Sequence, residues 1–153
     1  MADIIDWAQW VVHCKELESA QNQFVNAINE ISFSVREKKG KFGKWSAKDL
    51  LAHISGWELE VIKMFNLFLT DPNVNDEYNI NTFNNESVSA RERLSWEEIL
   101  NELKSAQKEL NALISKLDQK QLNSESRFTE WIGVLNNHYH HHTNQINEMK
   151  SFD

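Results

Sequence analysis

Trp45-Ser46-Ala47-Lys48-Asp49-Leu50-Leu51-Ala52-His53-Ile54-Ser55-Gly56-Trp57 reads as the start of a helix and already shows one of its faces. Ser46 stands three residues before Asp49, the spacing at which a cap hydroxyl accepts from the third helical amide while that residue's carboxylate reaches back to the cap amide. Trp45 and Leu50 flank this pair as a hydrophobic staple. Leu50, Ile54, Trp57 and Val61 then recur as an apolar stripe, and the helix is predicted to run to about Leu69, before Asp71-Pro72. His53 lies on the edge of that stripe, one turn before Trp57.

The same device recurs downstream. In Leu94-Ser95-Trp96-Glu97-Glu98-Ile99, Ser95 caps, Glu98 reaches back and Leu94 staples onto Ile99. The stripe of the helix that follows is Ile99, Leu103, Ala106, Leu110, Leu113 and Leu117. Upstream, a first helix is predicted over about 3–31 from Leu17, Phe24, Ala27, Ile28 and Ile31, ended by a linker containing Gly40 and Gly43. A last helix is predicted from about Thr129 to Met149, with Trp131, Leu135, His138, His142 and Met149 in one arc.

Four amphipathic helices of similar length bury their stripes most simply as an all-α four-helix bundle. Residues 70 to 93 are too many for a tight hairpin but enough to travel the ~30 Å length of a helix and return the chain to the same end. That predicts parallel second and third helices, a last helix antiparallel to the second, and an up-down-down-up order with a long crossover. A short helix over Ile80 to Arg91 is expected within the crossover, and a long ordered segment across a bundle end is often a binding element.

Composition is consistent with this reading. The 153 residues are the usual size of one domain, taken here as 1–153, and hold only four Gly and one Pro for tight turns. Lys and Arg number 16 against 23 Asp and Glu, a net charge of −7, so the basic surface that neutralises phosphates is missing and nucleic acid is not expected as a partner. The greasiest run, Val61 to Leu69, is interrupted by Lys63 and Asn66, so no membrane span is expected. Met1-Ala2-Asp3 starts neither a basic nor an apolar leader, and the lone Cys14 has no internal disulfide partner. The expected location is the cytoplasm. Cys14 has only Lys15 as a basic neighbour and is expected to be a small packed side chain.

Five of the six histidines fall in the second and last predicted helices, four of them in His138-Tyr139-His140-His141-His142. At about 100° per residue, His138 and His142 share a face, His140 points almost opposite and His141 lies to the side. His53 is seven residues past the Ser46 cap and His142 seven before Met149, so antiparallel helices would bring them to one level. Three imidazoles converging from two helices suit Zn²⁺, Ni²⁺ or Fe²⁺ and leave positions open for water or substrate. A carboxylate could act beside them as a base. Glu60 lies about 20° from His53 around its helix but two turns farther along, and Glu58 and Glu130 are less well aimed. Most of the six Trp should be core; Trp57, next to His53, is the best pocket residue, with Tyr78, Asn79 and Tyr139 as further candidates.

Gly43 to Glu58, with its W-S-x-K-D-x-x-x-H pattern, resembles the helix signature of the DinB-like superfamily, and His138 to Ile146 resembles its H-x-x-x-H motif. Tyr78-Asn79, Leu94-Ser95-Trp96-Glu97-Glu98 and the H-Y-x-x-H spacing are most similar to the ClbS/DfsB branch. The chain departs from that branch at His141, where Glu is common, and has Thr143-Asn144 in place of Arg-Gly. The resemblance covers about residues 10 to 150 and implies an up-down-down-up bundle with His53, His138 and His142 as metal ligands. It also implies chemistry on a small electrophile in detoxification or stress protection. Thiol-dependent transferases using mycothiol, bacillithiol or glutathione, and hydrolases of a cyclopropane electrophile, are among such relatives. A low-molecular-weight thiol is thus an expected co-substrate, and a homodimer is compatible with the bundle. The competing reading is a non-catalytic protein that sequesters a small molecule or serves as a dimeric scaffold.

Overall fold

The computed structural model describes residues 5–39 and 45–151, and every element in it is helical: α1 Trp7–Asn29, α2 Ala47–Thr70, α3 Ile80–Ala90, α4 Trp96–Ser115, α5 Gln119–Ser124 and α6 Arg127–Met149. Both expected capping boxes are formed. The Ser46 hydroxyl accepts from the Asp49 amide at 3.1 Å while Asp49 accepts from the Ser46 amide at 3.0 Å, and Ser95 and Glu98 do the same for α4. α1 begins at Trp7 rather than near residue 3 because the Asp6 carboxylate accepts from the Ala8 and Gln9 amides, and it stops at Asn29. The Gly40 and Gly43 linker lies outside the described residues.

α5 is absent from the reading of apolar periodicity, because six residues are too few to show a period. Its signal is local instead: Asp118 caps the Gln121 amide at 2.8 Å and Gln121 returns the bond to the Asp118 amide at 2.9 Å. α6 starts two residues earlier than expected, at Arg127. That guanidinium donates to the Val74 and Pro72 carbonyls, pairs with Glu125 at 2.6 Å and covers the Phe68 ring. It therefore fastens the connection between α2 and α3 to the start of α6.

The long helices pack α1 on α6, α2 on α4, α2 on α6 and α1 on α4, with α3 laid on α2. Along α2 and α6 the contacts run in opposite order: His53 meets His142, whereas Phe65 and Phe68 meet Phe128. Along α2 and α4 they run in the same order, from Ser55 on Glu102 to Asn66 and Leu69 beside Leu113. The core is continuous, with Leu17, Phe24, Ile28, Leu51, Ile54, Phe65, Ile99, Leu103, Leu110 and Phe128 nearly without exposure. No helix among the described residues is long and apolar enough to cross a membrane.

Gly56 sets the spacing between α2 and α3. A Cβ there would lie 2.5 Å from the Ser87 hydroxyl oxygen and 2.6 Å from Ser87 Cβ. Ser87 is itself buried, so the added carbon can be accommodated only by moving α3. Gly56→Val is expected to lower stability by about 1–3 kcal/mol in urea unfolding, the usual cost of overfilling a packed contact.

Candidate functional site

Seven residues into α2, and at the second and third turns from the end of α6, three imidazoles meet. The Nε2 atoms of His53 and His138 are 2.8 Å apart, those of His53 and His142 3.2 Å, and those of His138 and His142 2.9 Å. His53 and His142 are buried and His138 is partly exposed. Burial first, and the neighbouring rings second, lower the pKa of His53 to about 2 and that of His138 to about 3. Burial lowers His142 to about 4 against the opposing pull of Gln145. At neutral pH the cluster is therefore three uncharged rings.

Three uncharged nitrogens at these distances cannot satisfy one another. Each Nε2 carries either a proton or a lone pair, so at least one of the three contacts sets two like groups together. A cation on the three lone pairs removes the conflict. Metal–nitrogen bonds of about 2.0–2.1 Å at ordinary bond angles place nitrogens about 2.8–3.4 Å apart, the range these contacts occupy. His142 is further committed: its Nδ1–H donates to the Gln145 side-chain carbonyl at 2.5 Å, which leaves the lone pair on Nε2. The Trp45 ring lies 4.8 Å from that of His53, whose Nδ1 is buried with no hydrogen-bond partner among the described residues. The donor set, three imidazoles and no thiolate or carboxylate, fits a borderline divalent ion.

A sequence profile of the DinB superfamily matches residues 15–146, spanning both histidine-bearing helices and most of the chain. The chain belongs to the DinB superfamily. Domains of this superfamily often bind metal, and the structure of this chain brings three histidines within metal-binding distance of one another. No curated protein and no solved structure matches the chain.

The remaining site candidates separate into three groups. Trp57 and Tyr78 line a cavity of about 230 Å³ that reaches His138, together with Val61, Ile80, Trp131 and Leu135. Asn79 instead caps α3, its side chain accepting from the Thr82 amide, and is not among the cavity's lining residues. Tyr139 is fully buried and likewise does not line the cavity. Glu60 is occupied elsewhere: it accepts from the Tyr78 hydroxyl at 2.8 Å and pairs with Lys63, so it holds an aromatic wall rather than touching the histidines. Cys14 is half-buried, and burial raises its thiol to about 11, in keeping with a packed, protonated side chain. His140 and His141 are exposed, with the His141 ring 4.9 Å from that of His142.

Glu58 is the residue that the sequence reading undervalued. It has no exposure at all and accepts from the Tyr139 hydroxyl at 2.6 Å and from the Gln21 amide at 3.0 Å. Gln107 donates to the Tyr139 oxygen, and Asn111 donates to Gln21. One polar chain thus links α1, α2, α4 and α6, and its Tyr139 is the sequence neighbour of His138 on α6. Burial, opposed by these two hydrogen bonds, raises the Glu58 carboxyl to about 7.

Proposed function

We propose that the chain is a metal-dependent enzyme of the DinB type, most similar to the ClbS/DfsB branch, in which His53, His138 and His142 hold a divalent ion. Zn, Ni and Fe all suit three imidazoles. The substrate is a small electrophile, which is hydrolysed or transferred to a low-molecular-weight thiol. The fold in this reading is one domain over 1–153, an up-down-down-up four-helix bundle, supported by the contact order along α2, α4 and α6. The observation that carries the functional reading is the convergence of three uncharged Nε2 atoms that cannot hydrogen-bond as a set.

A divalent ion so held supplies Lewis acidity and brings the pKa of a bound water or thiol toward neutrality. The chain's own residues do the rest. Gln145 fixes the tautomer of His142. Trp45 covers His53. Trp57, anchored by its Nε1–H on Asn84 at 2.8 Å, and Tyr78, anchored on Glu60, form an aromatic wall of the cavity that reaches His138. Glu60 serves as a positioning residue in this scheme.

Two measurements bear on it. Untagged protein stripped of metal, then given Zn²⁺, Ni²⁺ or Fe²⁺ and a panel of small electrophiles with and without thiol, should form product only after metal is returned, and not as His53→Ala. Ligand-induced Trp fluorescence change with no product under any condition would instead mark a sequestering protein. Gln145→Leu should weaken metal binding by about 10–100-fold in competition with a chromophoric chelator, the usual cost of losing the partner that orients a ligating imidazole.

A further inference from the structure

The cavity beside His138 has walls that say what kind of molecule it receives. Trp57, Tyr78 and Trp131 form a connected aromatic row, with successive ring centroids 5.3 Å and 5.9 Å apart, and Val61, Ile80, Val134 and Leu135 complete the apolar lining. Among the described residues, only two ionisable side chains besides the tyrosine reach the cavity, Asp76 and His138. Asp76 faces the Arg127 guanidinium at 3.8 Å, and Arg127 is in turn pinned by Glu125 and two backbone carbonyls. The Tyr78 hydroxyl donates to Glu60. The cavity thus offers no cation to an anionic ligand, and its one carboxylate, Asp76, already faces Arg127, which it shares with Glu125, so a charged ligand entering the cavity would lose its water for little counter-charge. An uncharged apolar group loses nothing of that kind and gains buried area against three aromatic rings.

We propose that this cavity binds the uncharged apolar part of the substrate, an aromatic or branched aliphatic group on the scale of two fused rings, and presents its polar end to His138. The proposal rests on the reading of the histidine cluster as the reacting centre, but the cavity can be tested without it. The ionic parts of any thiol co-substrate then lie outside the cavity, in solvent. Val134, on its wall, is 69% exposed, so a larger side chain there obstructs the cavity without entering the core.

The test is isothermal titration with three probes of one shape, 2-naphthylmethanol, 2-naphthylmethylammonium and 2-naphthoate. It is run on wild-type protein, metal-stripped and metal-loaded, on metal-stripped His53→Ala and on metal-stripped Val134→Trp. The neutral alcohol should bind metal-stripped wild type at least roughly ten-fold more tightly than either ion. It should bind His53→Ala equally well, and Val134→Trp at least roughly ten-fold more weakly with an unchanged circular dichroism spectrum. Equal or tighter binding of the ammonium or the carboxylate would overturn the proposal, because a rim charge would then govern recognition. So would alcohol binding that Val134→Trp leaves intact, which would place the ligand elsewhere, such as the Trp7, Trp10 and Cys14 groove. Metal content measured on the same samples separates the two readings. Selective alcohol binding by a chain that takes up no metal sinks only the metal reading, whereas metal uptake without selectivity sinks only this one.

Discussion

Replacing either His53 or His142 by alanine is expected to remove stoichiometric metal binding while leaving the helical fold in place. Each substitution takes one of three ligands, and the loss should exceed the roughly 10–100-fold that follows from removing a partner behind a ligand. The fold is expected to survive because the clustered rings contribute little as a hydrogen-bonded set: His53 Nδ1 is buried without a partner among the described residues, and the three Nε2 atoms crowd one another. The metal-free variants should even resist acid better than the parent. A histidine whose folded pKa is depressed adds stability that is present above the unfolded value of about 6.5 and is lost as pH falls toward the folded value. Here the folded values are about 2 for His53, 3 for His138 and 4 for His142, so the loss begins near pH 6.5 and runs through pH 4, where the His142 part ends and the His53 and His138 parts continue. His140→Ala, on the exposed face of α6, should leave metal content unchanged. Dialysis against metal followed by elemental analysis, with circular dichroism on the same samples from pH 4 to 7, reads both effects.

The second large effect concerns Glu58 and has the opposite sign. Its folded pKa, raised to about 7 from an ordinary value of 4.5, means that its contribution is fully present below pH 4.5 and is lost as pH rises through 7. A shift of that size corresponds to on the order of 3 kcal/mol. Because the histidines add stability over part of the same range, the effect is read as a difference: metal-free wild type should lose about this amount relative to Glu58→Gln between about pH 4.5 and 7 in urea unfolding, as the Glu58 carboxylate forms at a site of no exposure beside Tyr139 and Gln21. The amide that Glu58→Gln introduces keeps the shape without the charge, and the flanking Gln21 and Asn111 amides can turn to re-pair with it. A difference between the two proteins that does not change with pH would show that Glu58 does not set it. The same network explains why four helices settle in one register, since its members come from α1, α2, α4 and α6 and each has a partner on another helix.

How these residues came to be seen or missed follows from what each depends on. His53, His138 and His142 were legible because a helix fixes angle and depth from sequence distance alone, and two well-capped ends supplied the origin. Superfamily membership, shown over residues 15–146, was legible from the motifs that carry those histidines. Glu58 was not, because its burial depends on Gln21, Gln107 and Tyr139 arriving from three other helices. α2 packs against α3, α4 and α6 and reaches α1 through Gln21, so a residue less well aimed at the histidines is still buried. Glutamines on the buried faces of α1 and α4 were the available hint. Tyr139 followed the pattern of an aromatic beside a ligand, yet its hydroxyl serves Glu58 rather than the cavity. Glu60 was aimed correctly along the helix and turned out to hold Tyr78, a contact made possible only by the path of residues 71–79 under Arg127. The aromatic wall itself combines α2, the 71–79 connection and α6, so no single segment could announce it.

X-ray absorption at the metal edge of untagged protein, with elemental analysis of the same sample, tests the central claim most directly. The account predicts one divalent ion per chain, with imidazole nitrogens in its shell at about 2.0–2.1 Å, and loss of that signal in the His53→Ala, His138→Ala and His142→Ala variants. Substoichiometric metal after loading, or a shell unchanged in those variants, would contradict it.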